Sequence, residues 1–390
     1  MERIGIYGGT FDPPHLGHLR AAQAALDCLS LDKLLLIPTS CSPEKSPSQT
    51  PDQNRLEMLR MAAEEGMEVC DLELRRGGVC YTVDTLRQVR QDHPDARLFL
   101  CVGSDAFCNL DGWKDPDGIF SEAEICVFCR GGKDEVQKIR EQKTLLESRG
   151  AKVHLAENAV TDISSSNLRR LLAFGCGKKF LPPQLQDYIR SHGLYNTKKN
   201  WKNLPMEQLE QVVISLLKPN RVAHTLGCRD TAIEMARRWG VSETDAARAG
   251  ILHDVTKALD GPLQLTLCEA YGKMLSDFSR KYPKTLHAFT GSLVAEVVFG
   301  ENEAVVEAIR SHTTGKANMS TLQKIIYIAD YMEPCRDFPG VEKLRHLAFT
   351  DLDAALKLGL EMTLEHLANQ GNEVSPESRD ALRFLNNNSL

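Results

Sequence analysis

Apolar residues in the first half of the chain fall in short runs, and these runs alternate with stretches in which apolar residues recur at helical spacing. The short runs predict buried strands at residues 3–7, 33–37, 97–102 and 124–128. The stretches between them predict helices at residues 19–29, 52–65 and 82–91. Because strands that alternate with helices form parallel sheets covered on both faces, we predict an α/β first domain.

The pattern changes near residue 204. From there on the strand pattern is almost absent, and apolar positions predict helices at residues 209–217, 229–239, 288–299 and 322–331. We therefore predict an all-α second domain over residues 204–390. The polar, basic segment 197–203 is the predicted linker, which leaves residues 1–196 for the first domain. A length of 390 residues favours two cores rather than one.

Composition narrows the class of protein. Hydrophobic residues make up 42% and charged residues 26% of the chain, which is ordinary for a soluble globular protein. The formal charge of −6 argues against nucleic acid or an anionic membrane as the main partner. The chain start resembles no signal peptide, and no stretch approaches the roughly 18 uncharged residues of a membrane span.

The twelve cysteines have irregular spacing, which is typical of thiols in a reducing compartment, and we expect a cytoplasmic protein. Cys126 and Cys129 have CxxC spacing within a predicted strand, where residues three apart point to opposite faces. We expect a structural role for both rather than zinc or redox chemistry.

The first chemical constellation follows the first predicted strand, in the run Gly8-Gly9-Thr10-Phe11-Asp12-Pro13-Pro14-His15-Leu16-Gly17-His18. Paired glycines let the main chain approach a phosphate, and a helix that opens near residue 16 turns its positive end toward the same place. His15 and His18 are three positions apart, so both imidazoles can face one phosphate and stabilise developing charge. The alternative is a tight turn followed by a helix cap.

This run and Ile163-Ser164-Ser165-Ser166-Asn167-Leu168-Arg169 together resemble the HxGH and ISSTxIR signatures of the nucleotidyltransferase superfamily, specifically bacterial nicotinate mononucleotide adenylyltransferase. The resemblance implies a Rossmann-like domain that joins ATP to nicotinate mononucleotide, with Mg²⁺ on the triphosphate. It implies catalytic roles for His15, His18 and Arg169. It implies ATP contacts from Gly8, Gly9, Thr10, Phe11, Gly103, Ser104, Asp105, Ser165 and Ser166.

The same resemblance implies an acceptor site for nicotinate mononucleotide formed by Lys45, Thr82, Thr85 and Trp113. The chain departs from the family in having Pro43-Glu44-Lys45 where Pro-His-Lys is frequent, and Ser166 where threonine is usual. Purely structural roles remain open for some of these residues: helix caps for the two threonines, a turn for Asp105 and a loop anchor for Trp113. A nucleotide sensor, or an adenylyltransferase that acts on pantetheine phosphate or another acceptor, also remains open for this half.

The second constellation supplies six nitrogen and oxygen donors, each in its own predicted helical segment except for one His-Asp doublet. Imidazole and carboxylate are natural ligands of iron, manganese and zinc, and an aspartate beside a histidine can bridge two metals. The alternative is a set of unrelated core histidines. The donors are His224, His253, Asp254, His287, His312 and Asp330.

With their flanking residues, these donors resemble the HD superfamily, and more narrowly the bacterial HD-domain symmetrical diadenosine tetraphosphate hydrolases. The resemblance implies that His224, His253, Asp254 and Asp330 bind one metal and that Asp254, His287 and His312 bind the other. It favours iron, with diadenosine tetraphosphate split into two ADP. Lys257 and Arg310 are predicted phosphate contacts, and ordinary solvated charges are the open alternative for both. Hydrolysis of another nucleotide, or a regulatory nucleotide-binding module, remains open.

Overall fold

The computed structural model describes residues 1–43, 47–129, 132–157, 161, 163–275 and 280–387. The chain divides into two compact units, Met1–Lys198 and Lys199–Leu390, and the division falls within the segment predicted as a linker. Lys45, predicted to bind the acceptor nucleotide, lies outside the described residues together with Glu44.

The first unit is built on a six-stranded sheet with the order β3-β2-β1-β4-β5-β6, and every pair of neighbouring strands is parallel. This confirms the predicted α/β class. Apolar side chains such as Ile6, Leu100 and Val127 are buried against the covering helices, as expected of strands covered on both faces. The strands are β1 (Arg3–Gly9), β2 (Lys33–Pro38), β3 (Met67–Val69), β4 (Arg97–Gly103), β5 (Glu124–Cys129) and β6 (Val153–Glu157).

The chain order of the strands reverses at β1, whose neighbours are β2 on one side and β4 on the other. In open α/β sheets, ligands bind beyond the carboxyl ends of the strands at such a reversal. Gly8 and Gly9 end β1 and Gly103 ends β4, so the glycines of the sequence motifs lie at that edge. The helices of this unit are α1 (Leu16–Leu29), α2 (Asp52–Ala62), α3 (Leu72–Arg76), α4 (Thr82–Asp92), α5 (Ser104–Phe107), α6 (Pro116–Glu122), α7 (Lys133–Ser148), α8 (Ser165–Ala173) and α9 (Pro183–Ser191).

Every regular element among the described residues of the second unit is a helix, which confirms the all-α prediction. The helices are α10 (Met206–Leu216), α11 (Val222–Trp239), α12 (Glu243–Leu252), α13 (Gly261–Ala270), α14 (Leu286–Val294), α15 (Glu303–Ser311), α16 (Thr321–Met332), α17 (Val341–Thr350), α18 (Leu352–Asn369) and α19 (Pro376–Asn387). In the interior of the unit α11 packs against α12 and α16, and α15 packs against α12, α14 and α16. Among the described residues of the chain, none of the helices has the length and apolarity that crossing a membrane requires.

The cysteines are all reduced. All twelve lie within the described part of the chain and are free thiols, and Cys126 and Cys129 both lie on β5 as predicted. Cys126 is fully buried in the sheet, whereas Cys129 at the strand end is partly exposed.

A half-buried carboxylate contacts side chains of two neighbouring strands at one point of the sheet. Glu124 on β5 accepts two hydrogen bonds from Arg97 on β4, at 2.9 and 2.8 Å, and lies 2.7 Å from Nε2 of His154 on β6. Burial raises the pKa of Glu124, but the hydrogen bonds from His154 and Arg97 outweigh it, and the net pKa lies below the ordinary value. Glu124 therefore stabilises the first unit most when it is ionised.

We expect Glu124→Gln to destabilise the first unit by about 1 kcal/mol at pH 7, because Arg97, which is 41% exposed and partly screened by solvent, loses its charged partner. A carboxyl whose pKa is lowered by folding stabilises the fold above its unfolded pKa of about 4.3, and this stabilisation is lost as the pH falls through the folded pKa. The difference between variant and wild type should therefore shrink below about pH 4. The free energy of unfolding of each protein is measured by urea denaturation of the full chain. Pulsed hydrogen exchange of the β5 amides follows the first unit in the same experiment. Exposed Glu65→Gln is the control, and a difference independent of pH would contradict the prediction.

Candidate functional site

The two histidines of the first constellation stand where α1 begins. His15 is the residue before the helix, and its backbone N–H donates to Nδ1 of His18 at 3.2 Å. The two imidazole rings stack with their centroids 3.6 Å apart, and the ring of Phe11 packs edge-on to His18 at 5.0 Å. Because Nδ1 of His18 accepts a hydrogen bond, the neutral ring carries its proton on Nε2, which is then a donor.

Glycines leave space in front of this pair. A Cβ atom built on Gly8 or on Gly103 would meet no described atom within 4 Å, so a ligand can approach the ends of both strands. Gly17 has the opposite surroundings. A Cβ there would lie 3.0 Å from Nδ1 of His15 and 3.2 Å from the carbonyl oxygen of Thr161, so glycine lets His15 keep its position.

The serine-rich motif meets the glycine–histidine motif directly. Oγ of Ser165 donates to the carbonyl oxygen of Pro13 at 3.1 Å. Nη1 of Arg169 donates to the carbonyl oxygen of Asp12 at 2.6 Å, and its Nη2 donates to Oγ of Ser166 at 3.2 Å. Two segments about 150 residues apart thus meet at the sheet edge, which brings the guanidinium and two serine hydroxyls together beside the start of α1.

Two residues that support this arrangement, Asp12 and Tyr195, were not predicted as part of the site. Asp12 is 4% exposed, and its carboxylate accepts hydrogen bonds from Tyr195 at 2.7 Å and Ser48 at 2.8 Å, and lies 3.6 Å from Arg169. Burial, then the charge of Asp12, raises the pKa of Tyr195, which stays a hydroxyl donor. Asp12 was visible inside the motif, whereas nothing near Tyr195 in the sequence indicates this contact.

A third missed residue is Arg55 on α2, whose side chain is completely buried. Its Nη1 donates to the carbonyl oxygens of Thr10 and Thr39, both at 2.8 Å. Thr39 follows β2 and Thr10 follows β1, so one guanidinium fixes the chain where two strands leave the sheet. An arginine on an amphipathic helix is usually solvated, and the sequence carries no signal of its burial.

Three of the residues predicted to bind the acceptor nucleotide, Thr82, Thr85 and Trp113, are described in the same unit. Thr82 opens α4 and is partly exposed, whereas Thr85 is 2% exposed and donates its hydroxyl proton to Glu73 at 2.7 Å. Neither threonine is the residue that precedes the helix, which is Tyr81. Trp113 packs, partly buried, against the core of the sheet.

On the adenosine side of the predicted site, Ser104 and Asp105 open α5 directly after β4. Ser104 is buried and donates to Glu135, whereas Asp105 is exposed. Their predicted contacts with ATP stay predictions.

The histidines of the second unit come together in its helical core. His224 lies on α11, His253 directly after α12, His287 on α14 and His312 directly after α15. All four are buried.

Three of these rings are oriented by their Nδ1 atoms. Nδ1 of His253 is 2.7 Å from the Gly250 carbonyl oxygen, and Nδ1 of His312 is 2.7 Å from that of Ile309. Nδ1 of His224 lies 2.9 Å from Oε1 of Glu333. An imidazole that donates through Nδ1 presents the lone pair of Nε2, as a metal ligand does.

Asp254 faces both halves of this cluster, one with each carboxylate oxygen. Its Oδ2 lies 3.7 Å from Nε2 of His224 and 3.5 Å from Nε2 of His253. Its Oδ1 lies 3.4 Å from Nε2 of His287 and 3.8 Å from Nε2 of His312. The side chains form two triads that share Asp254, and within each triad the donor atoms lie within 4.8 Å of one another.

Asp330 on α16 joins the first triad. Its Oδ1 lies 3.1 Å from Nε2 of His224 and 3.9 Å from Nε2 of His253. All six predicted donors are therefore in one place, grouped as the sequence resemblance implies.

The donors have the chemistry of a divalent metal site. Nε2 of His224, Nε2 of His253 and Oδ1 of Asp254 are buried and make no hydrogen bond within the described residues, which is costly unless a cation meets them. Burial lowers the pKa of His312 to about 4, so this ring is neutral at pH 7. Burial alone would raise the pKa of Asp254, but neighbouring cations hold it well below its ordinary value, so it is ionised.

Two predicted phosphate contacts differ in their surroundings. Nζ of Lys257 lies 2.8 Å from Nε2 of His287 and 3.7 Å from Oδ1 of Asp254, so it belongs to the cluster. Arg310 instead pairs with Glu307 at 2.7 Å, one turn away on its own helix.

Sequence reasoning missed Arg221, Glu333 and Arg336 at this cluster. Arg221 pairs with Oδ2 of Asp254, and Nη2 of Arg336 lies 2.9 Å from Oδ1 of Asp330. Arg221 stands three residues before His224, and Glu333 and Arg336 stand three and six after Asp330. A spacing of three places Arg221 and Glu333 near a predicted ligand along the helix but does not assign their partners, and the spacing of six to Arg336 is not helical.

Comparison with known proteins divides the chain in the same way. Residues 6–171 match the family described as Cytidylyltransferase-like, and residues 221–335 match the HD domain family. A protein of Gemmatimonas aurantiaca named "Probable nicotinate-nucleotide adenylyltransferase" is 39% identical over 199 residues, which is 50% of this chain and 92% of that protein. One of Halalkalibacterium halodurans with the same name is 34% identical and covers 52% of this chain and 96% of its own length.

A solved structure also resembles part of the chain. It is described as a predicted HD superfamily hydrolase involved in NAD metabolism from Clostridium acetobutylicum, 34% identical, with a TM-score of 0.46, and it covers 47% of this chain and 98% of its own. By its identity to relatives that it spans almost completely, the chain belongs to the nicotinate-nucleotide adenylyltransferase family, and a helical HD domain follows the adenylyltransferase-like sheet.

Proposed function

We propose that the first unit, over residues 1–196, transfers an adenylyl group from ATP to nicotinate mononucleotide, giving nicotinate adenine dinucleotide and pyrophosphate. The observation that carries this is the junction of the two motifs, where Ser165 and Arg169 bond the carbonyl oxygens of Pro13 and Asp12. The names of the relatives support the choice of acceptor.

In this reaction the phosphate of the acceptor attacks the α-phosphorus of ATP, and pyrophosphate leaves. The chemistry needs positioning and charge stabilisation rather than a protein nucleophile. His15 and His18 are proposed to donate to the α-phosphate oxygens, while Ser165, Ser166 and Arg169 hold the departing β- and γ-phosphates. Mg²⁺ that enters with ATP would neutralise part of the charge on the triphosphate.

The acceptor is tested with the full chain, ATP and Mg²⁺. Nicotinate mononucleotide, nicotinamide mononucleotide and pantetheine phosphate compete in one reaction, and the dinucleotide products are identified by mass spectrometry. We expect nicotinate adenine dinucleotide to dominate. Dominance of either other product would assign a different acceptor, and ATP binding without any product would indicate a sensor.

We propose that the second unit, over residues 204–390, is a two-metal phosphohydrolase that splits diadenosine tetraphosphate into two ADP. The observation that carries this is Asp254, whose two oxygens each face a different pair of histidines. Bound metals would activate water and polarise the phosphate chain. The chain itself supplies four buried imidazoles, three of them oriented through Nδ1, and two ionised carboxylates.

The hydrolase is tested by metal content and by product identity. The full chain is reconstituted anaerobically with iron, manganese or zinc, and metal per chain is measured before diadenosine tetraphosphate is added. We expect two metals per chain, with iron giving the highest rate, and ADP as the sole product. ATP together with AMP would mean asymmetric cleavage, and two bound metals without turnover of this substrate would favour another nucleotide or a regulatory module.

A further inference from the structure

Three cationic side chains converge on the carboxylates of the metal cluster. Arg221 pairs with Oδ2 of Asp254, and Arg336 lies 2.9 Å from Oδ1 of Asp330. Lys257 lies 3.7 Å from the other oxygen of Asp254. They come from separate parts of the chain, because Arg221 ends a short turn before α11, Lys257 follows α12 and Arg336 follows α16.

The oxygens that pair with the arginines are the ones that face the histidines. Oδ2 of Asp254 and Oδ1 of Asp330 each lie within 4 Å of Nε2 of His224 and His253. A metal ion at this triad would share these oxygens with the guanidinium groups, and like charges repel. When metal is bound, the attraction between each arginine and its carboxylate is therefore weaker. Both guanidinium groups can then bind another anion more readily.

Exposure places the arginines on the solvent side of the cluster. The side chain of Asp254 is 1% exposed, whereas those of Arg221 and Arg336 are 27% and 37% exposed. A ligand that arrives from solvent thus meets the guanidinium groups before it reaches Asp254, while Asp330 beside Arg336 is 22% exposed. Their planar N–H groups match phosphate oxygens in pairs, which lysine cannot do.

Charge indicates how many phosphates the site can take. Two divalent ions with Arg221, Arg336 and Lys257 exceed the charge of the three carboxylates, Asp254, Asp330 and Glu333, by about four units. A phosphate monoester brings only about two negative charges near pH 7. A linear polyphosphate therefore neutralises the positive charge of the metal-loaded site more fully than a single phosphate does.

We infer that Arg221 and Arg336, with Lys257, form a phosphate-binding rim that selects a linear polyphosphate over a phosphate monoester. This rests on the proposed metal centre and names the residues that recognise its substrate class. The rim residues bind the phosphates that flank the one under attack, and they are not metal ligands.

The test separates anion binding from metal binding. Arg221→Gln, Arg336→Gln and the double variant are prepared in the full chain and loaded with Mn²⁺, and metal per chain is measured. Binding of inorganic tripolyphosphate and of inorganic phosphate is then measured by calorimetry. The matched control is Arg237→Gln, which removes an exposed arginine that lies in the last turn of α11 and pairs with Glu243 at 2.8 Å.

We expect two Mn²⁺ per chain in every variant, and a Kd for tripolyphosphate raised by about tenfold or more in each single rim variant. Arg237→Gln should bind tripolyphosphate as the wild type does. Unchanged tripolyphosphate affinity in the double variant would overturn the inference. So would loss of metal in the rim variants, because the arginines would then serve only to hold the carboxylates. A wild-type chain that holds no metal would instead contradict the metal centre itself.

Discussion

Asp254→Asn should remove both metal ions from the second unit in one step. Asp254 is the residue shared by the two donor triads, and an amide offers one neutral oxygen where the carboxylate offers two charged ones. We expect metal content to fall from two ions per chain to none and hydrolysis of diadenosine tetraphosphate to fall by about a thousandfold or more. Adenylyl transfer by the first unit should be unchanged.

Asp260→Asn is the matched control for this result. Asp260 lies six residues later and caps α13, with Oδ1 accepting from the N–H of Leu263 at 3.0 Å, and asparagine caps a helix equally well. It should keep two metal ions and full hydrolysis. Circular dichroism checks that both variants fold. A folded Asp254→Asn protein that still holds two ions would show that the carboxylate does not bridge them.

The sheet was predictable because its strands are buried on both faces. Such strands appear as continuous apolar runs, and β1, β2, β4 and β5 each contain one of the predicted segments. Two strands were not predicted, because β3 has only three residues and β6, with His154 and Glu157 among its five, has no continuous apolar run. The predicted helix 52–65 ends at Ala62, because Ala63 is extended and the chain turns there toward β3. The order of strands depends on long-range pairing and was not predicted.

In the second unit, the apolar pattern did not predict the helical turn that carries the candidate metal ligand His224. The segment 229–239 was predicted as a helix, but α11 begins seven residues earlier, at Val222, and this first turn carries His224. A buried histidine does not count as apolar, so a functional helix face breaks the periodicity that would reveal it. The segment 288–299 was predicted as one helix, and there α14 passes into a π-helical turn, Ala295–Phe299.

The donor residues were predictable and their partners were not. Order and spacing identified the six donors, because a His-Asp doublet among isolated histidines is chemically distinctive. Glu333 contacts His224 across 109 positions, and Tyr195 contacts Asp12 across 183. Such charged or polar residues are usually solvated, and only the packing of distant elements assigns them a partner.

His18→Ala should lower the rate of adenylyl transfer by about a hundredfold or more, as expected when a group that stabilises transition-state charge is removed. Nδ1 of His18 accepts from the His15 backbone, so Nε2–H is the donor that would meet the α-phosphate. The rate of turnover at saturating ATP and nicotinate mononucleotide measures the effect. We expect the loss in kcat rather than in KM, because the charge it stabilises develops only in the transition state.

The alanine variant also removes the acceptor for the His15 N–H, so a second variant must separate capping from catalysis. In His18→Asn the amide oxygen can replace Nδ1 as that acceptor, while no donor reaches the position of Nε2. This variant should unfold at nearly the wild-type temperature and yet lose most of its turnover. Exposed His192→Ala, in the same unit, should alter neither. If His18→Asn turns over at nearly the wild-type rate, His18 serves only to cap α1, and the charge on the α-phosphate must be stabilised by His15 and Arg169 alone.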